Sequence, residues 1–280
     1  MSALYLVATP IGNLEDVSLR ALRVLGEVEL VLAEDTRRTR ILLERHRIGA
    51  KPVSLHAHNE AARTAEVVAR LDAGGDVALV SDAGTPLISD PGDRIVAAAL
   101  AAGHEVIAIP GASAVLSALC VSGLPAAPFS FVGFLPRRAR ECERALAALS
   151  ERCETLVFFE SPRRVAATLA RLRAALGDRR ACAARELTKL HEEVVRGTLG
   201  ELERRFASGA RGELTLVVAG ASEPRRALAG DELEAEIRAL SEAGHSARAI
   251  AERLARAAGL AKREIYARAV ALRRARPDAD

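Results

Sequence analysis

Residues 77–92 decide the fold, and they read Val-Ala-Leu-Val-Ser-Asp-Ala-Gly-Thr-Pro-Leu-Ile-Ser-Asp-Pro-Gly. The four apolar residues at 77–80 predict a short buried strand, and a helix is predicted over 92–100. Between them, Ala83 and Gly84 are small enough for a ligand to approach the backbone closely. Open α/β sheets bind ligands beyond the carboxyl ends of their strands, so this loop is a candidate ligand site. An ordinary strand-to-helix turn would have the same pattern.

The first 121 residues alternate between apolar strands and helices. Strands are predicted at 4–8, 28–33, 52–55, 77–80 and 105–109. Helices are predicted between them at 18–25, 37–47, 61–73 and 92–100. This alternation is typical of a parallel α/β sheet. Four strands lead into ligand-type loops, which a parallel sheet would bring to one edge, at 10–13, 34–37, 82–86 and 110–114.

A second α/β domain is predicted over 122–222, after a boundary rich in glycine and proline at 122–128. Its strands, which we expect to form a mixed sheet, are predicted at 129–134, 155–159, 181–186, 192–196 and 213–219. Its helices are predicted at 138–149, 165–176 and 198–206. The fold class that follows is α/β, with two α/β domains, 1–121 and 122–222, ahead of a helical tail.

The tail, residues 231–280, is predicted to be a small helical domain joined by a linker at 222–230. Asp231 and Ser246 suit the N-cap positions of its first two helices. The three helices are predicted at 231–243, 246–257 and 262–274. The last one is strongly basic, because residues 262–276 contain six lysines and arginines against one glutamate. Such a patch can meet phosphates, although a solvated helix face has the same composition.

Composition restricts the class of protein. No apolar run reaches the roughly 18 residues that a membrane helix needs, and the N-terminus lacks the basic region of a signal peptide. We therefore expect a cytoplasmic protein without membrane contact. The formal net charge is +3, and only three of the 40 basic residues are lysines. The cysteines lack metal-binding or disulfide spacing and are expected to be free thiols: Cys120, Cys142, Cys153 and Cys182.

Several well-known catalytic motifs are absent. The loops match neither the P-loop pattern nor GxGxxG, so phosphate-loop and dinucleotide sites are not indicated. His56 and His58 lack the spacing of a helical metal pair, and no metal site is predicted. Ser113 follows Pro-Gly but lies outside a GxSxG motif. Lys189 stands out in a chain with so few lysines, as a functional ammonium or as a plain surface residue.

Six segments together resemble one known family. They are Leu-Tyr-Leu-Val-Ala-Thr-Pro-Ile-Gly-Asn (4–13), Ala-Glu-Asp-Thr-Arg (33–37), Ser-Asp-Ala-Gly-Thr-Pro-Leu-Ile-Ser-Asp-Pro-Gly (81–92), Ile-Pro-Gly-Ala-Ser-Ala (109–114), Phe-Phe-Glu-Ser-Pro-Arg-Arg (158–164) and Arg-Glu-Leu-Thr-Lys (185–189). They are similar to the bacterial 16S ribosomal RNA (cytidine-2′-O)-methyltransferases of the tetrapyrrole-methylase superfamily. The resemblance covers about residues 4–220.

The resemblance implies that S-adenosyl-L-methionine (SAM) binds between the two α/β domains and methylates a cytidine ribose in 16S ribosomal RNA of the small subunit. It also implies a homodimer. The cofactor-binding residues that it implies are Pro10, Asp82, Ala83, Gly84, Thr85, Ile88, Ser113, Ala114, Phe159, Leu187 and Thr215. No metal is expected, because methyl transfer from a sulfonium needs no Lewis acid.

A ribose 2′-hydroxyl is a poor nucleophile, so its proton must be removed or polarised during attack. The candidate catalytic residues are Glu34, Asp35, Glu160 and Lys189. The tail resembles a helix-turn-helix whose basic side would meet ribosomal RNA. The predicted RNA-binding residues, which would contact phosphates, are Arg37, Arg38, Arg40, Arg163, Arg164, Arg268, Arg273 and Arg274.

Two other functions fit the same sequence. One is a tetrapyrrole methyltransferase of the precorrin type, against which the basic tail and Ala-Glu-Asp-Thr-Arg argue, because a small porphyrinoid needs no phosphate-binding appendage. The other is a non-catalytic RNA-binding protein that has kept an α/β shell. The tail itself has an alternative role in dimerisation or packing.

Overall fold

The computed structural model describes residues 2–56, 58–221, 230–258 and 260–274, without the side chains of residues 256, 257, 273 and 274. The chain divides into two compact units, residues 1–220 and residues 221–280. Both sheets lie in the first unit, and the predicted α/β fold class is confirmed. No helix in the described ranges combines the length and the apolar character that crossing a membrane requires.

The first sheet is parallel throughout, with the strand order β3-β2-β4-β1-β5. Its strands are β1 (Ala3–Val7), β2 (Leu30–Ala33), β3 (Pro52–Ser54), β4 (Val77–Val80) and β5 (Glu105–Ile109). Its helices are α1 (Leu19–Glu27), α2 (Thr36–Arg45), α3 (Glu60–Asp72) and α4 (Asp93–Ala101). Every residue of β4 is buried, as a continuous apolar run predicts for a central parallel strand. The loop after β4 therefore leaves the middle of the sheet edge.

The second sheet is mixed, with the order β6-β7-β10-β8-β9. β6 pairs with β7 in parallel, and the other three pairings are antiparallel. Its strands are β6 (Phe129–Phe134), β7 (Thr155–Glu160), β8 (Arg180–Arg185), β9 (Glu193–Thr198) and β10 (Leu214–Val218). Its helices are α6 (Ala139–Leu149), α7 (Val165–Leu176) and α8 (Leu199–Arg205). The core beneath these helices centres on Leu156, Phe158 and Leu216.

One further helix, α5 (Ala114–Ser122), was not predicted from the sequence. Its sequence, Ala-Val-Leu-Ser-Ala-Leu-Cys-Val-Ser, is apolar on most sides and carries no amphipathic stripe to reveal a helical period. Val115 and Leu119 share one buried cluster with Val157 and Val217 of the second sheet and with Ile11 beyond β1. This cluster joins the two sheets into the single unit formed by residues 1–220.

The second unit contains three helices, α9 (Gly230–Glu242), α10 (Ala247–Ala258) and α11 (Lys262–Arg274). Their shared core includes Ile237, Ile250 and Ile265, each fully buried. Ser246 caps α10 as predicted, since its Oγ accepts the Ala249 N–H at 3.2 Å. The prediction of Asp231 as an N-cap is wrong: α9 begins at Gly230, so Asp231 lies in the first turn, where a carboxylate favours the helix dipole. The predicted linker, apart from Gly230, lies outside the described residues.

Candidate active site

A cleft of about 450 Å³ is lined by residues of both sheets in the first unit. The loops after β1, β2, β4 and β5 contribute to it, as expected for the carboxyl edge of a parallel sheet. Strands β6, β7, β8 and β10 contribute the other side. The volume lies within the range of roughly 300–1,000 Å³ typical of small-ligand sites.

The structure brings seven of the eleven predicted cofactor-binding residues together. The residues that line the cleft are Asp82, Ala83, Ile88, Ala114, Phe159, Leu187 and Thr215. The remaining four, Pro10, Gly84, Thr85 and Ser113, are not among the lining residues. Ser113 instead caps α5, because its Oγ accepts the Leu116 N–H at 3.4 Å.

Gly84 does not line the cleft but lies next to Ile11, which does. The Gly84 backbone forms a two-way bridge with Thr9, with N···O distances of 2.9 and 3.0 Å. Its φ is +88°, and a Cβ atom there would lie 3.3 Å from Cγ2 of Ile11, which lines the cleft. A substitution at Gly84 would therefore strain the backbone as well as the cleft.

The loop after β4 is tied to its neighbours by polar contacts. The Asp82 carboxylate accepts the backbone N–H of Asp35 at 2.7 Å, which links the loops that follow β4 and β2. The Ser81 hydroxyl donates a short hydrogen bond to Asp90. Farther along the chain, the Glu60 carboxylate accepts the N–H of Gly92 at 3.1 Å. These bonds keep two carboxylates, Asp82 and Asp90, at the cleft surface.

Glu34 completes an acidic side of the cleft together with Asp82 and Asp90. Although Glu34 is exposed, partial desolvation and then the negative charges of Asp90 and Asp82 raise the pKa of Glu34 above its usual value. The pKa of Asp90 is raised by burial too, although its hydrogen bond from Ser81 opposes the shift. Glu34 accepts no hydrogen bond from the part of the chain that the structure describes, so its carboxylate is free to meet a ligand.

Asp35, the next residue, has the opposite character. Its carboxylate accepts hydrogen bonds from the Arg37 side chain at 2.8 and 3.0 Å and from the Arg37 backbone at 2.9 Å. These bonds lower the pKa of Asp35 to about 2. Asp35 is also the N-cap of α2. It stays ionised at neutral pH and is a weak base.

Glu160 lines the cleft but is only 2% exposed. One carboxylate oxygen accepts the Ser161 N–H at 2.7 Å and lies 3.5 Å from the Arg164 guanidinium. The other accepts the Thr168 hydroxyl at 2.5 Å. Both oxygens are therefore occupied by residues around the start of α7, which fits a carboxylate that orders this corner of the cleft.

Lys189 is held as an ammonium ion. Its Nζ lies 2.9 Å from Glu186 and 3.0 Å from Glu213, and all three residues line the cleft. Burial alone would lower the pKa of Lys189, but the hydrogen bonds to the two glutamates outweigh it and raise the pKa above 10.5. Glu186 and Glu213 were not predicted as site residues, although Glu186 lies within the segment Arg-Glu-Leu-Thr-Lys.

The predicted RNA-binding arginines differ in their exposure and in whether their side chains are already paired. Arg38 is exposed and lines the cleft, whereas Arg37 is paired with Asp35. Arg163 is exposed, but Arg164 is half-buried and donates to the Leu135 carbonyl at 2.8 Å. Two others are exposed on helices, Arg40 on α2 and Arg268 on α11. The side chains of Arg273 and Arg274 lie outside the described residues.

A metal site needs several ligating side chains that lie close together. Among residues 2–56, 58–221, 230–258 and 260–274, no group of three or more His, Cys, Asp or Glu side chains could hold a metal ion.

The raised pKa of Asp90 predicts a pH-dependent cost to stability. When folding raises a carboxyl pKa, the group's contribution to stability is full below the unfolded pKa and is lost as the pH rises through the folded pKa. Asp90→Asn should therefore have a higher free energy of unfolding than wild type at pH 7, with the difference vanishing below about pH 4. Urea unfolding between pH 4 and 7 measures it. A difference that does not vary with pH would contradict the predicted shift.

Comparison with known proteins gives a consistent result. The sequence profile of the Tetrapyrrole (Corrin/Porphyrin) Methylases matches residues 3–203. A protein of Micromonospora olivasterospora named ribosomal RNA small subunit methyltransferase I is 48% identical over 269 residues, which cover 94% of this chain and 85% of the relative. A protein of the same name from Synechocystis is 45% identical over 269 residues, covering 95% of this chain and 96% of the relative.

Solved structures share the fold. The uroporphyrin-III-C-methyltransferase of Thermus thermophilus superposes with a TM-score of 0.58 at 24% identity, over 78% of this chain and 94% of that one. A diphthine synthase gives a TM-score of 0.58 at 18% identity, over 78% of this chain and 90% of its own. The profile matches residues 3–203, and the two relatives align over 94–95% of this chain. The chain therefore belongs to the tetrapyrrole (corrin/porphyrin) methylase family.

Proposed function

We propose that this chain methylates the 2′-hydroxyl of a cytidine in 16S ribosomal RNA, with SAM as the methyl donor. The observation that carries the proposal is the extent of the similarity to the ribosomal RNA small subunit methyltransferases, which covers 94–95% of this chain. That span includes most of the helical tail. The porphyrin methyltransferase structure covers only 78% of this chain although 94% of that protein is matched.

The cleft fits SAM in size and in chemistry. Ala83, Ala114 and Ala184 leave space beside the apolar side chains of Ile11 and Leu187. The acidic side, Glu34 with Asp82 and Asp90, favours a ligand that carries a positive sulfonium and an ammonium group. When bound, SAM supplies an electrophilic methyl group. The predicted domains 1–121 and 122–222 would be the two lobes around it, and the predicted homodimer and cytoplasmic location belong to the same proposal.

Glu34 is the best base among the four candidate catalytic residues. Its raised pKa brings it closer to neutral pH, where a general base is most effective, and its carboxylate is free. Asp35 is too weak a base, and both oxygens of Glu160 are occupied. As the 2′-oxygen attacks the methyl carbon, the hydroxyl proton would pass to Glu34, while the carbon–sulfur bond would break and leave the neutral thioether S-adenosylhomocysteine. The ammonium of Lys189 would stabilise the negative charge that develops on that oxygen.

RNA would be held by cations of both units. Arg38 and Arg163 are exposed, and no ion pair with either is formed within the ranges that the structure describes. In the tail, Lys262, Arg263 and Arg268 are exposed on α11. Such contacts supply affinity and salt dependence without reading the base sequence.

The direct test is methyl transfer from labelled SAM to 30S subunits, naked 16S ribosomal RNA and a porphyrinoid in parallel. We expect label in ribosomal RNA, at a cytidine whose phosphodiester resists alkaline hydrolysis because its 2′-oxygen is blocked. Label only in the porphyrinoid would support a tetrapyrrole methyltransferase. RNA binding without SAM binding would support a non-catalytic RNA-binding protein.

SAM binding by variants of Ala83 tests the cofactor site. Ala83→Leu places a larger side chain in the cleft and should weaken SAM binding at least about 10-fold, since the space beside Ala83 is lost. Ala148→Leu, on the exposed side of α6, is the matched control and should bind SAM as the wild type does. Isothermal calorimetry measures both. Equal affinities in the two folded variants would remove Ala83 from the site.

Glu34→Gln should lower kcat about 10²- to 10⁴-fold, the range typical for the loss of a general base. The SAM affinity should fall much less than kcat, because Asp82 and Asp90 keep the cleft acidic and the amide keeps the shape of the side chain. Asp35→Asn is the matched control, since asparagine also caps helices, and its kcat should fall far less. If the two variants lose activity equally, Glu34 is not the base.

The tail should contribute salt-dependent RNA affinity. Replacing Lys262, Arg263 and Arg268 together with glutamine in the full chain should weaken binding to 16S ribosomal RNA. The slope of log K against log salt concentration should become shallower by up to about 2, at roughly 0.7 per lost contact to single-stranded RNA. Filter binding between 50 and 300 mM salt measures the slope, and SAM affinity should be unchanged. An unchanged slope would favour a packing or dimerisation role for the tail.

A further inference from the structure

Three phenylalanines meet at the cleft in a chain that has few aromatic residues: six Phe, two Tyr and no Trp. The ring centre of Phe159 lies 4.9 Å from that of Phe131 and 5.7 Å from that of Phe134, with interplanar angles of 67° and 58°. Phe131 and Phe159 are half-buried. Phe134, the third member of this aromatic cluster, is 53% exposed and lines the cleft.

A β-bulge places Phe134 on this face. Phe131 pairs with Val157, but Gly133 pairs with Phe158, so the strand gains one residue between them. Phe134 then pairs with Phe159 and lies on the same face as Phe131. In a regular strand, residues 131 and 134 would point to opposite faces. Gly133, with φ of +73°, permits this local geometry, and bulges of this kind redirect side chains beside active sites.

A loop with strained backbone angles lies next to the bulge. Leu87 and Ser89 both have positive φ, 71° and 72°, which is unusual for residues other than glycine. Between them, Ile88 is 43% exposed and lines the same cleft as Phe134. A Cβ atom on Gly133 would lie 3.6 Å from Oγ of Ser89, so the loop and the bulge are neighbours. Strain of this kind persists where the surroundings hold it, and it concentrates at ligand sites.

We infer that Phe134 is the surface on which the base of the target nucleotide stacks when its ribose enters the cleft. This inference rests on the proposed function. The cleft is lined by both sheets, and a single-stranded nucleotide with an unstacked base can bring its 2′-hydroxyl between them to Glu34. An exposed aromatic ring compensates for the stacking that is lost, and bases of any sequence can stack on it.

The exposure of Phe134 distinguishes this role from cofactor binding. Phe159, between the two other rings, is the half-buried member that the family resemblance assigns to SAM. Phe134 keeps more than half of its surface open to solvent and is the member of the cluster that a macromolecular substrate meets first. The cluster thus holds Phe134 in one orientation before RNA arrives.

Steady-state methylation of 30S subunits by Phe134→Ala tests the inference. We expect KM for 30S subunits to rise about 10-fold, as the loss of one base–aromatic stack predicts, with a smaller change in kcat. The SAM dissociation constant measured by calorimetry without RNA should be unchanged. Phe134→Tyr should restore the wild-type KM, because it keeps the ring. Phe129→Ala is the matched control, since Phe129 lies on the same strand, is 39% exposed and is not among the cleft-lining residues.

The other outcomes separate the two proposals. An unchanged KM in Phe134→Ala, or the same rise in Phe129→Ala, overturns the inference alone. Weaker SAM binding by Phe134→Ala assigns the ring to the cofactor site and also overturns it. A wild-type chain that methylates no ribosomal RNA overturns the proposed function, and the inference falls with it.

Discussion

The burial of α5 against the second sheet is the interaction on which the rest of the structure depends. Val115 and Leu119 of that helix pack with Val157 and Val217, although α5 directly follows the last strand of the first sheet in the chain. One face of the helix is buried in this contact, whereas Leu116, which is 54% exposed, and Cys120 lie on its open side. With this contact in place, the carboxyl edge of the first sheet faces strands of the second, and the space between them becomes a cleft with two chemically different sides.

Charge is distributed within the cleft so that neighbouring groups have different protonation properties. Glu34 and Asp35 are adjacent in sequence, yet burial and nearby carboxylates raise the pKa of the first while Arg37 lowers that of the second to about 2. Lys189 is fixed between two glutamates and stays charged. In such a site the free carboxylate can remove a proton from a weak acid. The fixed ammonium can stabilise the negative charge that develops when the proton leaves.

The backbone around the cleft is less regular than elsewhere in the first unit. Leu87, Ser89, Glu186 and Thr188 have positive φ without being glycine, and β6 carries its bulge at the same cleft. Each irregularity precedes or flanks a lining residue, Ile88, Leu187, Lys189 or Phe134. Regular strands and helices supply the frame, and the departures from regularity set the direction of the side chains that would meet a ligand.

The sequence by itself determined the elements whose apolar pattern has a clear period. The alternating strands of the first sheet, the buried run at Val77–Val80 and the amphipathic helices of the tail could all be predicted, and the ligand-type loops followed from the polarity of parallel strands. Local spacing carries this information, because strand and helix periods are set within a few residues. Of the eleven cofactor-binding residues that the family resemblance implied, seven line the cleft.

Tertiary structure alone decided the rest. α5 has no periodic stripe, since its exposed side carries Leu116 and is as apolar as its buried side, and its partners lie some 40 to 100 residues further along the chain. The four candidate catalytic residues were equivalent in the sequence, and only their partners in space distinguish a free Glu34 from an occupied Glu160. A regular strand would place Phe134 on the face opposite Phe131, and the bulge that brings both to one face depends on the register with β7. Burial, pKa and register are properties of contacts between distant residues, and these contacts exist only in the folded chain.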